Sequence, residues 1–231
     1  MQRTATPNRP GGGRASRIEP LVVRRSLLRD AVFLRLLENV LRGDYRRGQR
    51  LRLDGLAEDM GVSRTPVREA LVPLETLKLV SVQRYVGVVV SQWSVEQMTE
   101  RLRIAKRMLD DPPSTGSPSA DRFEGFWLQD CATEAGAFVE LGAWYLRRRG
   151  AVISADWLVA QRAVLDMFFT DDVAIANGID AVVDRRGRTA MVARACAAAE
   201  RDELDGCAAA LSELATALIT LPDRFRVAAS A

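Results

Sequence analysis

The sequence predicts a mainly α protein in two parts: an N-terminal winged helix-turn-helix with a small β-hairpin, then an all-α helical bundle. Three observations carry this. "GVSRTPVREAL", Gly61 to Leu71, joins a glycine turn to a helix start. "LVSVQRYVGVVVS", Leu79 to Ser91, is rich in β-branched residues around a central "QRY" and Gly87. From Ser94 onward no strand pattern appears, and apolar residues recur at helical spacing.

Residues 1–20 are polar and rich in Pro, Gly and Arg, which predicts a disordered basic arm. Residues 21–42 predict a first helix, with Leu27, Ala31, Leu34, Leu37 and Leu41 on one face and Gly43 as its stop. "DYRRGQRLRL" predicts a turn and a short extended piece. Asp54 is the expected N-cap of a second helix carrying Leu56, Ala57 and Met60. Gly61 follows that helix, where a left-handed residue costs glycine least. Ser63 is the expected N-cap of a third helix, and Pro66 falls in its first turn. Val67, Ala70, Leu71 and Leu74 form its buried stripe, and Arg64 and Arg68 share an outward face beside Thr65. Helix, tight turn, helix is the helix-turn-helix pattern. Leu79–Gln83 and Gly87–Ser91 are the two expected wing strands, with Arg84 and Tyr85 near the tip.

The second part, 93–231, opens with a capping box of Ser94 and Gln97 on a helix to about Leu109. Asp110 to Asp121 reads as a mobile linker. Helices are expected near 122–148, 155–169, 172–184, 187–200 and 203–220, with a break at Asp202. Arg147, Arg148 and Arg149 are expected at a helix C-terminus, where cations suit the macrodipole.

Charge separates the same two parts. Residues 1–92 hold 17 Lys+Arg and 9 Asp+Glu, net +8, whereas residues 93–231 hold 16 and 21, net −5. A basic first part points to a polyanion as its partner. A helix start usually favours acidic residues, so Arg64 there invites an external anion such as a DNA phosphate.

Other classes find little support. No run of 18 uninterrupted apolar residues exists, so no membrane span is expected. Cys131, Cys196 and Cys207 are odd in number and lack CxxC spacing, which argues for a reducing cytoplasm and against a disulfide framework. With no histidine, the usual general base is missing, and no nucleophile elbow, P-loop or dinucleotide fingerprint appears. No enzyme activity and no cofactor are expected.

The stretch "RLDGLAEDMGVSRTPVREALVPLETLKLVSVQRYVGVVVSQWS" resembles the DNA-binding domain of GntR-type bacterial transcription regulators, over roughly residues 25–92. "GVSRTPVREAL" matches the family motif throughout. The resemblance implies a recognition helix in the major groove and a wing tip at the minor groove. It assigns DNA contacts to Ser63, Arg64, Thr65, Arg68, Arg84, Tyr85 and the wing glycine Gly87. The chain departs from the family pattern at Lys78, where a Gly usually precedes the wing's Leu-Val. It departs also at Tyr85-Val86 in the hairpin tip and at Arg47-Gly48 after the first helix.

"VARACAAAERDELDGCAAALSELATAL" is similar to the last two helices of the effector domain in the fatty-acid-regulator branch. The expected function is a regulator, ligand-responsive through a small-molecule effector or orphan, mostly a repressor, binding double-stranded DNA as a homodimer on a pseudo-palindromic site. Many members of the branch hold a divalent metal through an Asp and three His. Here the last two ligand positions align with Ala193 and Glu213, so no metal is expected. Asp130, Glu134 and Glu213 are the remaining oxygen donors to weigh. Phe123, Phe126, Trp127, Trp144, Tyr145 and Trp157 read either as core or as the lining of an apolar effector pocket, with Trp127, Trp144 and Tyr145 as its candidates. The alternative to a regulator is a protein–protein interaction module that keeps a winged helix as scaffold. Outward-facing Arg64, Thr65, Arg68 and Arg84 discriminate, since a scaffold has no need of them.

Overall fold

The structure is a computed structural model, and it describes residues 19–83, 87–113 and 116–224. The arm up to Ile18 therefore lies outside the described residues, as do Arg84 and Tyr85.

The first domain contains α1 (Glu19–Arg42), β1 (Arg50–Leu51), α2 (Leu53–Asp59), α3 (Arg64–Thr76), β2 (Val80–Gln83) and β3 (Gly87–Val90). Its sheet has the order β1-β3-β2, antiparallel throughout, with Val80 opposite Val90, Gln83 opposite Gly87 and Leu51 opposite Val88. The short extended piece before α2 is thus the third strand of the wing.

The inner face of α1 differs from the expected one. Val32, Leu36, Leu37, Val40 and Leu41 are buried, whereas Leu27 is 64% and Leu34 45% exposed, and Ala31 is also exposed. Leu37 and Leu41 belong to the expected face and are buried, but Val32, Leu36 and Val40 join them where α1 packs on α3, α7 and α8. On α3 the expected stripe is the buried one: Val67, Ala70, Leu71 and Leu74. The turn between α2 and α3 needs a left-handed residue at Gly61, whose φ is +64°. There the Gly61 N–H donates to Glu58 O and the Val62 N–H to Ala57 O, which satisfies two carbonyls at the end of α2.

Asp54 is not the N-cap of α2. Arg52 holds that position, and Asp54 sits inside the first turn. Ser63 does occupy the N-cap position of α3, but its hydroxyl makes no capping hydrogen bond.

The bundle comprises α4 (Val95–Asp110), a 3-10 turn (Gly125–Asp130), α5 (Glu134–Arg148), α6 (Val152–Ala160), α7 (Arg162–Phe168), α8 (Asp171–Ala176), α9 (Arg185–Glu200) and α10 (Leu204–Arg224). Ser94 and Gln97 form the expected capping box at the start of α4. The expected helices 122–148, 155–169 and 172–184 are each shorter or divided. The first begins properly at Glu134, where Thr133 caps it. The second breaks at Gln161, and the third ends at Ala176 with Gly178 left-handed.

The linker is also more tied down than its composition suggests. The Gly116 N–H donates to Gly150 O and the Ser119 N–H to Arg147 O, which lays the segment along the end of α5. Arg147 and Arg148 lie in the last turn of that helix, as expected.

By length and composition alone, α10 is long and apolar enough to cross a membrane. It packs instead on α9, α4 and α5, with Leu211, Leu214, Leu218 and Leu221 buried, and serves as a core helix.

Candidate nucleic-acid interface

The outer face of α3 is built by subtraction. Its apolar stripe is consumed by the core, so Arg64, Thr65 and Arg68 are left exposed on the first two turns. The free Ser63 hydroxyl and the unpaired N–H groups of the first turn adjoin them. Arg68 and Thr65 make no side-chain hydrogen bond or ion pair among the described residues. Arg64 has a partner inside the molecule: its guanidinium pairs with the Asp54 carboxylate, the two side chains being 68% and 65% exposed. The anion invited by an arginine at this helix start is supplied, in the absence of DNA, by α2. An ion pair this exposed is worth about 0–1 kcal/mol, so a phosphate can displace it.

The wing is held to α3 by Glu75. Its carboxylate accepts from the Val82 N–H at 2.8 Å, tying β2 to α3. Neither Asp54 nor Glu75 was singled out from sequence as part of this surface. A carboxylate opposite an edge strand leaves no periodic signature. Gly87 opens β3 with φ +102°, and a Cβ there would lie 3.0 Å from Leu51 O. Glycine is required where β1 and β3 approach. Arg50 and Arg52, flanking the buried Leu51, are further exposed cations on this domain.

The residues considered for ligands in the bundle do not converge. Trp144 and Tyr145 are 3% and 4% exposed. The Trp144 Nε1–H donates to Asp121 O at 3.1 Å and its ring meets Phe123 edge to face. Both act as core, and neither lines the clefts described below. The Trp127 side chain lies outside the described ones.

The three carboxylates do not share a site. Glu134 faces Arg188 at 3.7 Å and accepts from the Thr189 hydroxyl, while Glu213 pairs with Arg194 across α9 and α10. Asp130 is exposed, and its backbone oxygen accepts from Arg162. Among the described residues no group of three or more His, Cys, Asp or Glu is placed to hold a metal ion.

Arg188 is 2% exposed and donates to Val183 O and Ala181 O, so it clamps the turn before α9. A cleft of about 620 Å³ opens beside it, lined by Cys131, Thr133, Glu134, Asp171, Arg185 and Thr189. A second, more apolar cleft of about 810 Å³ lies between the winged helix and the bundle, lined by Phe33, Leu34, Val72, Val159 and Met167 among others.

The fold of this first domain is a winged helix. Residues 28–90 match the family model described as bacterial regulatory proteins, gntR family. The N-terminal domain is therefore a GntR-type winged helix, joined to a helical C-terminal region.

No curated protein matches the chain. Among solved structures, Lar, which controls the expression of the Listeria monocytogenes agr system, is 17% identical. The match covers 85% of this chain and 97% of that one, with a TM-score of 0.43. A structural-genomics target from Rhodococcus sp. RHA1, given as a transcriptional regulator GntR, is 18% identical. It covers 88% of this chain and 100% of that one, with a TM-score of 0.47. E. coli McbR/YncC is 18% identical over 85% and 97%, with a TM-score of 0.43.

Proposed function

We propose that the protein is a cytoplasmic, sequence-specific transcription regulator, a repressor that binds double-stranded DNA as a homodimer on a pseudo-palindromic site. The observation that carries this reading is the exposed face of α3, where Arg68 and Thr65 have no internal partner and Arg64 has only a displaceable one. Arg68 reads guanine O6/N7 in the major groove, the commonest specific contact of an arginine. Ser63, Thr65, Arg64 and the N–H groups at the start of α3 hold phosphates and set the register. The wing, with Arg84, Tyr85 and Gly87, approaches the neighbouring groove. Two such helices in a two-fold dimer, joined through a C-terminal domain of the fatty-acid-regulator type, face successive half-sites.

A small-molecule effector acts on the bundle and shifts the dimer between spacings that fit or miss the operator. The packing of Trp144 and Tyr145 favours the cleft beside Glu134 and Arg185 over the aromatic pair as its seat. Neither catalysis nor a cofactor has a part in this reading.

A gel-shift titration with DNA from upstream of the protein's own coding sequence tests it. Retardation that survives excess random DNA is expected, with a footprint of two related half-sites. Equal affinity for random DNA of the same length would leave only a polyanion-binding scaffold.

A further inference from the structure

Two leucines that the sequence pattern assigned to the core stand exposed on α1. They are Leu27 and Leu34, and Ala31, also exposed, lies between them. At i, i+4 and i+7 the three make one stripe along the helix. Leu28, 44% exposed, flanks it. Every residue from Leu27 to Ala31 is exposed, so no described element covers α1 through that turn.

The stripe runs into the apolar cleft of about 810 Å³ between the winged helix and the bundle. Leu34 and Phe33 line it from α1, Val72 and Pro73 from α3, Val159 from α6 and Met167 from α7. Val72 is itself 61% exposed. Contiguous apolar surface of this kind is uncommon on a monomer and marks a contact.

Self-complementarity selects the occupant. One helix carries a projecting side chain, Leu27, and seven residues on a wall of the cleft, Leu34. Helical rise sets the two roughly 10 Å apart. Antiparallel pairing of α1 with α1 of a second copy, about a two-fold axis between Asp30 and Ala31, sets Leu27 of each copy against Leu34 and the cleft of the other. Both projections are buried at once, as an isologous contact requires. A foreign partner would need its own matching projection and cleft, whereas a second copy has them. Ala31 beside the axis is small enough to let the two helices approach. Asp30, the like charge nearest the axis, is already paired with its own Arg29 at 2.7 Å.

We propose that this face of α1 and the cleft beside it hold a second copy of the chain, related by a two-fold axis near Ala31. The inference rests on the homodimer of the function proposed above and names the face that makes it. It sets the two winged helices side by side, and it needs no DNA to form.

Sedimentation velocity of the full-length protein without DNA tests the contact. The parent should sediment as a dimer. Leu27→Glu should weaken that dimer about a hundredfold or more, because the change enters the contact twice. Leu27 is exposed in the single chain, so the variant should keep the parent's circular dichroism. A monomeric parent leaves the cleft to another occupant and overturns the proposal. So does a folded Leu27→Glu that dimerises as tightly as the parent.

Leu27→Cys combined with Leu34→Cys reads the register. Within one chain the two positions are too far apart for a disulfide, so mild oxidation should join two copies covalently. Either change alone should not, since each then meets a leucine across the axis. Cross-linking of the double variant no greater than that of the parent, with its own three cysteines, overturns the contact even where Leu27→Glu fails to fold. A dimer unmoved by both tests would leave the DNA-binding reading in place. A dimer that behaves as described but binds operator and random DNA alike would count against that reading alone.

Discussion

Asp54→Asn should increase DNA affinity, although it removes an interaction from the folded protein. Arg64 cannot face a phosphate until it leaves Asp54, and both side chains are about two-thirds exposed. Solvent screens such a pair to about 0.2–1 kcal/mol. Removing the carboxylate therefore returns about 1.4- to 5-fold in affinity, and relieves repulsion between Asp54 and the backbone. The gain should shrink as salt rises, because the terms involved are screened. Stability should move by no more than about 0.5 kcal/mol, as for other surface changes.

Arg68→Ala is the contrast. It has no internal partner to be released from, and should cost about 1–3 kcal/mol on the specific site while relaxing preference at one position per half-site. Gel shifts at three salt concentrations, on specific and random duplexes, measure both variants. Asp54→Asn losing affinity to the same extent as Arg68→Ala would show that the carboxylate holds Arg64 in its working pose. The reasoning about release would then be wrong.

Much of the exposed face of α3 and of the wing was legible because its signals are local. The turn at Gly61, the i, i+3, i+4, i+7 stripe of α3 and the β-branched wing each lie within a few residues. What failed depended on a choice between comparable local patterns or on a distant neighbour. On α1 the expected Leu37 and Leu41 are buried, but Leu27 and Leu34 are exposed while Val32, Leu36 and Val40 face the core. Asp54 was read as a cap from its position before a helix. Its carboxylate instead meets a residue one helix further on.

In the bundle, the Ala-rich end kept its expected helices and its break at Asp202, whereas the boundaries between 122 and 184 were missed. The break at Gln161 and the clamp of Arg188 on the turn before α9 are tertiary facts. Lys78 shows a departure that sequence noticed without seeing its meaning. It stands where the family pattern has glycine, and its φ is +62°.

That residue gives the next prediction. A left-handed L-residue costs about 1–2 kcal/mol, of which the extra unfolded-state freedom of glycine returns about 0.5–1. Lys78→Gly should therefore stabilise the protein by about 0.5–1 kcal/mol, read as a higher urea midpoint at constant m-value. An unchanged or lower midpoint would show that the left-handed turn carries no strain.

Burial pushes the Cys207 thiol up to about 12. From pH 9 to that value the unfolded chain sheds a proton that the folded one keeps. Stability present below pH 9 should thus decline by up to ~1.4 kcal/mol per pH unit. Cys207→Ala should flatten that decline, and native protein at pH 8 should leave Cys207 unlabelled by a thiol reagent. Rapid native labelling at Cys207 would contradict the burial.

Arg101 joins the two domains. Burial lowers its pKa from the usual guanidinium range, and it donates to Leu77 O at the end of α3 and to Gln161 between α6 and α7. Arg101→Met keeps the bulk but leaves two acceptors without their donor, at about 1–3 kcal/mol each. Relief of a desolvated charge offsets part of that cost. The loss falls on the docking of the winged helix against the bundle, where the buried residues of both join in one core. Urea unfolding should broaden or split into two steps where the parent shows one, and operator affinity should fall with α3 intact. A single transition at the parent midpoint would show that Trp93 on Phe168, and Asn177 on Leu41 O, hold the domains together without the arginine.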